Sequence, residues 1–323
     1  MRFGTVAIIG RSNVGKSTFL NAAIGEQLAV VSPRPQTTRE RLLGVAALPD
    51  VQVAFLDTPG LHRPKSELGR RMNATALEAA RSADVTLLMT DVEPLLEASA
   101  AGEPPAPNAE DTSLIAELPK ATPAVLAINK VDRLRNKAKL LPLIEAFAGA
   151  HEFAEIVPIS LLDPASAPRL LRALVPLLPP GEKAYDDDTL TDRPSSFFVR
   201  EYVREQVLVI AKREVPHAVA VSIERISETG QQLFAEATIH VEKVGQRKIL
   251  VGQGGQNIRA IGTKARQRLQ QMLHKPVVLK LFVRVTPRWR DSARLLAELG
   301  YEASPGAEDA RPGKRDRKLR KRR

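Results

Sequence analysis

Gly10-Arg11-Ser12-Asn13-Val14-Gly15-Lys16-Ser17 has the G-x-x-x-x-G-K-S spacing of a loop that cradles phosphates. Two glycines allow a tight backbone path, so successive N–H groups can face phosphate oxygens. A helix starting near Lys16 would point its positive end at the same place. Lys16 supplies a point charge for the β- and γ-phosphates, Ser17 offers a hydroxyl to Mg²⁺, and Thr18 continues the same turn.

Three further groups read as parts of one site. Asp57-Thr58-Pro59-Gly60 follows the apolar run Val51 to Leu56. A carboxylate at that strand end would hold Mg²⁺, and the Gly60 N–H can turn toward a γ-phosphate. Gln36-Thr37-Thr38-Arg39 lies earlier, where a switch segment would bring Thr38 to the metal. The metal set is therefore Ser17, Thr38 and Asp57, and the catalytic set is Lys16, Thr38 and Gly60. Asn129-Lys130-Val131-Asp132 follows the run Ala124 to Ile128. Asp132 would accept hydrogen bonds from N1–H and the exocyclic amine of guanine, a pattern adenine cannot match. The Lys130 stem would pack over the base, and Ser160, after Glu155 to Ile159, would brace Asp132. These residues point to GTP and GDP as ligands, with Mg²⁺.

The elements that must position these groups are strands followed by helices. Apolar runs alternate with helical patterns from Thr5 to about Leu178, the rhythm of a doubly wound, mostly parallel sheet. Glu97 to Asp111 is rich in Ala, Pro and acidic residues and reads as a surface loop. Residues 1–180 form the first domain, and residues 181–196, polar and acidic, read as a linker.

The second domain, residues 197–302, follows an α-β-β-α-α-β plan. Gly252-Gln253-Gly254-Gly255 joins two of its helices as G-x-x-G, the turn with which a KH domain clamps a single-stranded nucleic-acid backbone. Lys248, Arg259, Lys264, Arg266 and Arg268 surround that turn in sequence. Charge supports a polyanion partner here. Residues 1–196 hold 21 Lys+Arg against 24 Asp+Glu, whereas residues 197–302 hold 18 against 10. Residues 303–323 form a tail with nine Lys/Arg in its last thirteen positions, and its composition predicts disorder.

Composition excludes several classes. The 323 residues contain no cysteine, so disulfides, thiolate metal sites and cysteine nucleophiles are absent. The five histidines lack metal-ligand spacing. The short stretch before the first strand leaves no room for a signal peptide, and no apolar run would span a bilayer.

Taken together, GRSNVGKSTFLN, QTTRER, DTPGLH, NKVD, IVPIS and VGQGGQNI resemble the Era family of bacterial ribosome-assembly GTPases, from Gly4 to about Glu302. The resemblance implies an α/β P-loop GTPase domain followed by an α+β type II KH domain. It also implies binding of small-subunit (16S) ribosomal RNA near the 3′ end, action in 30S subunit maturation, a monomeric state, and a cytoplasmic location with peripheral association at the inner membrane. In related GTPases an Asn at the position of Asn13 helps hold K⁺ near the phosphates, which leaves K⁺ open as a further cofactor. Departures from the family pattern are Ser12 in place of Pro, Leu161 and Leu162 after Ser160, and Gln253 and Gly254 in a turn that commonly carries Lys. Leu61 stands where Ras-type GTPases place a water-orienting Gln, so intrinsic hydrolysis is expected to be slow. The alternative is a GTP-gated RNA-binding adaptor or chaperone with negligible turnover.

Overall fold

The structure is a computed structural model that describes residues 1–32, 34, 37–211, 218–229 and 231–301. The expected disordered tail and Gln36 of the switch segment lie outside the described residues.

Six strands build the first sheet: β1 (Arg2–Gly10), β2 (Leu42–Leu48), β3 (Val51–Asp57), β4 (Val85–Asp91), β5 (Ala124–Asn129) and β6 (Glu155–Pro158). Their order is β2-β3-β1-β4-β5-β6, with only β2 antiparallel. Strand periodicity sorts the core into two layers. Val6, Ile8, Val53 and Phe55 face one side, under α1 (Lys16–Ile24) and α6 (Ser166–Leu174). Ala7, Ile9, Ala54 and Leu56 face the other, with residues of α2 (Glu67–Ser82) and α5 (Leu140–Ala150). Register pairs Ile8 with Asp57, Gly10 with Met89 and Asp91 with Asn129. Gly10, Asp57, Asp91 and Asn129 thus end four adjacent strands on one edge, where the order reverses beside β1 and ligands of such sheets bind.

Glu97 to Asp111 is not the surface loop its composition suggests. Helix α3 (Glu93–Ala101) runs into it, only residues 102–108 are irregular, and α4 (Ala109–Ala116) begins before its end. Asn108 caps α4 by accepting from Asp111 N at 2.8 Å. Asp111 itself is fully buried, because it pairs with Arg11 in the phosphate loop.

The second domain comprises α7 (Ser195–Ile210), β7 (Ala220–Thr229), β8 (Gln232–Val241), α8 (Val244–Val251), α9 (Gln256–Leu273) and β9 (Val277–Val285). Strand β8 is antiparallel to β7 and parallel to β9. Leu233, Ala235, Ala237 and Ile239 of β8 point inward with Ile261, Ala265 and Leu269 of α9. A further helix, α10 (Ala293–Glu298), follows, and it lies beyond the expected plan.

The segment 181–196 is held along the first domain rather than strung freely between the two. Gln52 Oε1 accepts from Ala184 N and Tyr185 N, both at 3.0 Å, and Val45 N donates to Leu190 O at 2.9 Å. The domains also share apolar contacts. Leu68 and Met72 of α2 pack with Ala220, Trp289, Leu296, Leu299 and Tyr301. Trp289, the sole tryptophan, is fully buried and donates Nε1–H to Ala218 O at 3.0 Å.

Candidate nucleotide site and glycine turn

The loop between β1 and α1 owes its shape to residues that resist ordinary conformations. Gly15 has φ of 112°, and a Cβ there would meet Asn129 Nδ2 at 2.4 Å, so the end of β5 packs directly on it. Asn13, also at positive φ (65°), is a type that tolerates it. Lys16 starts α1 with its ammonium folded back on the loop, donating to Gly10 O at 3.1 Å and Arg11 O at 2.7 Å. Burial lowers its pKa to about 8, with Asp57 opposing that shift and Arg11 reinforcing it.

Ser17, Thr38 and Asp57 meet at one point. Ser17 Oγ donates to Asp57 Oδ2 at 2.7 Å, Thr38 Oγ1 lies 3.3 Å from the same oxygen, and the two hydroxyls are 3.0 Å apart. Burial raises the Asp57 pKa to about 6, against the pull of Lys16 and of these hydroxyls. Asp57 Oδ1 is buried without a hydrogen-bond partner. An orphaned carboxylate oxygen beside two hydroxyls suits a hard, oxygen-seeking cation such as Mg²⁺. Thr58 turns away and donates to Ile8 O at 2.7 Å, fixing the strand end that carries Asp57. After Pro59, Gly60 lies against Ser12, where a Cβ would sit 2.6 Å from Ser12 Oγ.

Asn129 clamps the base end to the phosphate end. Its Nδ2 donates to Val14 O at 2.8 Å, while its Oδ1 accepts from Lys130 N at 2.8 Å and Leu161 N at 3.2 Å. Ser160 Oγ donates to Asp132 Oδ1 at 2.5 Å, which leaves the other carboxylate oxygen toward solvent. One cavity of about 560 Å³ runs from Lys16, Ser17 and Thr18 past Thr38 and Gly60 to Lys130 and Asp132.

Two parts of this arrangement escaped the sequence reading. The Arg11 side chain is directed away from the cavity, reaching Asp91 and Asp111 at 3.0 Å each; only its backbone belongs to the cradle. Burial opposes its charge, and the two carboxylates more than offset that, so its pKa is raised. Lys130 Nζ shares Asp91, at 2.6 Å. The only sequence signal was the run of acidic residues itself, which does not reveal its partner.

The switch segment is held from the second domain. Thr37 O accepts from Arg204, Glu40 pairs with Arg200 at 3.2 Å, and Arg39 Nη1 donates to Val219 O.

The glycine turn has the opposite character. Gly252 (φ 73°), Gly254 (57°) and Gly255 (77°) adopt positive φ between α8 and α9. A Cβ on Gly252 would meet the Asn257 side chain at 2.8 Å. Asn257 Nδ2 secures the turn by donating to Ile249 O at 2.8 Å. Gln253 forms the tip with Gly254. Arg259 folds back to donate to Gly254 O and Gly255 O. Lys248 and Lys264 are exposed, Lys264 standing about 12 Å of helix rise beyond the turn. Arg268 faces elsewhere. It lies 4.5 Å over the Tyr202 ring and pairs with Glu205, because its position on α9 faces α7.

Comparison with known proteins agrees with both halves. Residues 5–130 match the 50S ribosome-binding GTPase family, and residues 214–290 match the KH domain family. GTPase Era of Lacticaseibacillus paracasei is 42% identical over 299 residues, 92% of this chain and 96% of the relative. The chain belongs to the GTPase Era family. GTPase Era of Geotalea daltonii is 41% identical over 93% of this chain and 97% of its own. Among solved structures, a Tyr-to-Ala variant of Aquifex aeolicus Era bound to GDP·AlF₄⁻ superimposes with a TM-score of 0.85 at 36% identity, covering 94% of this chain and 100% of that one. An Era complex with MgGDPNP and nucleotides 1506–1542 of 16S ribosomal RNA gives the same score and identity, covering 94% and 99%.

Proposed function

We propose that this Era-family GTPase binds GTP·Mg²⁺ across the 560 Å³ cavity and hydrolyses it slowly to GDP and phosphate. The observation carrying this reading is the convergence of Lys16, Ser17, Thr38 and Asp132 on one cavity, with buried Asp57 hydrogen-bonded to the Ser17 and Thr38 hydroxyls. Backbone N–H groups of Ser12 to Ser17 and the Lys16 ammonium stabilise charge on the phosphates, while Gly60 N–H is available to a γ-phosphate. Mg²⁺ held by Ser17, Thr38 and Asp57 would neutralise phosphate charge. Asp132, braced by Ser160, selects guanine. Leu61 is buried and apolar, so no side chain at that position orients the attacking water. Asn13 leaves room for K⁺ as a further aid.

The second domain binds single-stranded small-subunit ribosomal RNA, with Gly252 to Gly255 admitting the backbone and Lys248, Arg259 and Lys264 adding charge. This extends to the present chain the 16S RNA seen with a structural neighbour. The protein would act as a monomer on the 30S subunit during its maturation, in the cytoplasm and peripherally at the inner membrane. No helix among the described residues is long and apolar enough to cross a membrane. The contacts from Arg200 and Arg204 to the switch segment give nucleotide state a route to the RNA-binding domain. Sequencing RNA crosslinked to the purified protein tests the assignment: enrichment of the 16S 3′ end is expected, and crosslinks spread over unrelated RNA would refute it.

A further inference from the structure

A second cleft, of about 520 Å³, shares no residue with the nucleotide cavity. It is walled by both domains: the segment just after the switch threonines, α2, the connecting segment, α7 and the chain around Tyr301. Five arginines line it, at positions 39, 41, 71, 193 and 200, against two glutamates.

The partners of this cluster among the described residues leave two of the five arginines without a carboxylate. Glu40 is engaged by Arg200 at 3.2 Å, and Glu78 lies exposed. Arg71 has its own partner, Glu67, at 3.4 Å on the same helix. Arg41 and Arg193 have no carboxylate within ion-pair distance among the described residues. Arg193 is nonetheless fixed in place: it lies 5.0 Å over the Phe197 ring and donates to Arg41 O at 3.1 Å. Arg39 is buried, 5.8 Å from the Trp289 ring centroid.

Like charges gathered in a cleft repel one another unless an anion offsets them. Guanidinium groups match phosphate oxygens with planar, paired donors. The volume falls within the range of small-molecule pockets, roughly 300–1,000 Å³. We infer that this cleft binds a small phosphate compound carrying two or more negative charges, separate from the nucleotide at the phosphate loop. Its occupant would touch both domains, and Arg41 lies three positions after Thr38.

The test uses the full chain saturated with GDP and Mg²⁺, so that the phosphate loop is already filled. Inorganic pyrophosphate is titrated by calorimetry at constant ionic strength and constant free Mg²⁺. One equivalent should bind, and Arg41→Gln and Arg193→Gln should each weaken it about tenfold, the loss of one charge-assisted contact. Both arginines are half-buried, and unchanged melting of the variants establishes that they fold. No binding above a chloride control would overturn the inference. So would binding that both variants retain, since the anion would then sit elsewhere on the basic second domain.

Discussion

The nucleotide cavity and the glycine turn are both proposed to handle phosphate, and they are built in opposite ways. The cavity is over-determined: Asn129 alone ties three backbone groups together, and buried Lys16 and Asp57 each answer to several neighbours. The turn is sparse and exposed, held by Asn257 and Arg259 and shaped chiefly by three glycines. A site that must recognise one base and organise a reaction needs fixed donors and acceptors. A site that must admit a backbone of many sequences needs an absence of side chains. The two should therefore fail differently when altered.

The largest effect should come from Lys16→Ala. It removes the buried ammonium, and triphosphate affinity should fall about 100-fold, the scale of one or two charged hydrogen bonds. RNA affinity should hold; calorimetry with GTP and filter binding with RNA check both, and parallel losses would indicate misfolding.

Asp132→Asn keeps the shape and reverses one hydrogen-bond partner. GTP affinity should drop by roughly 10²-fold while xanthosine triphosphate becomes the better ligand. Retained GTP preference in competition binding would remove Asp132 from base reading.

At the turn, Gly252→Asp places a side chain where a Cβ would lie 2.8 Å from Asn257, and it adds a repelling charge. Single-stranded RNA should bind about tenfold more weakly, with GTP affinity intact. Gly255→Asp should behave similarly, although a Cβ there would meet the Arg259 guanidinium and Ile258 only at 3.8 Å or beyond. Equal RNA affinity for wild type and both variants would take the turn out of RNA binding.

Removing residues 303–323 should have the smallest effect. The tail's nine cationic side chains would contribute by counterion release, so the salt dependence of RNA binding should flatten without a change in preferred sequence. Altered sequence preference with an unchanged salt slope would show that the tail reads bases.

How far the sequence exposed this molecule follows the reach of its contacts. The phosphate loop, Asp57 and Asn129 to Asp132 were legible because each is a local spacing at a strand end. The α-β-β-α-α-β plan of the second domain was legible from periodicity, and its elements fall in that order. What stayed hidden spans long separations. Asp111 is buried where Arg11, a hundred positions earlier, and Thr90 both donate to its carboxylate. The segment 181–196 looks like a linker by composition, yet Gln52 holds it in place. Arg268 has the sequence position of an RNA contact, but its helical phase turns it toward Tyr202 and Glu205.

The central claim is that the cavity works as a guanine-specific hydrolase. Phosphate release by the purified full chain, with GTP and with ATP at equal concentration and saturating Mg²⁺, tests it most directly. The account predicts slow, repeated turnover of GTP, lost in Lys16→Ala, and none of ATP. Equal hydrolysis of both nucleotides, or no turnover of GTP with or without 16S 3′-end RNA, would contradict it.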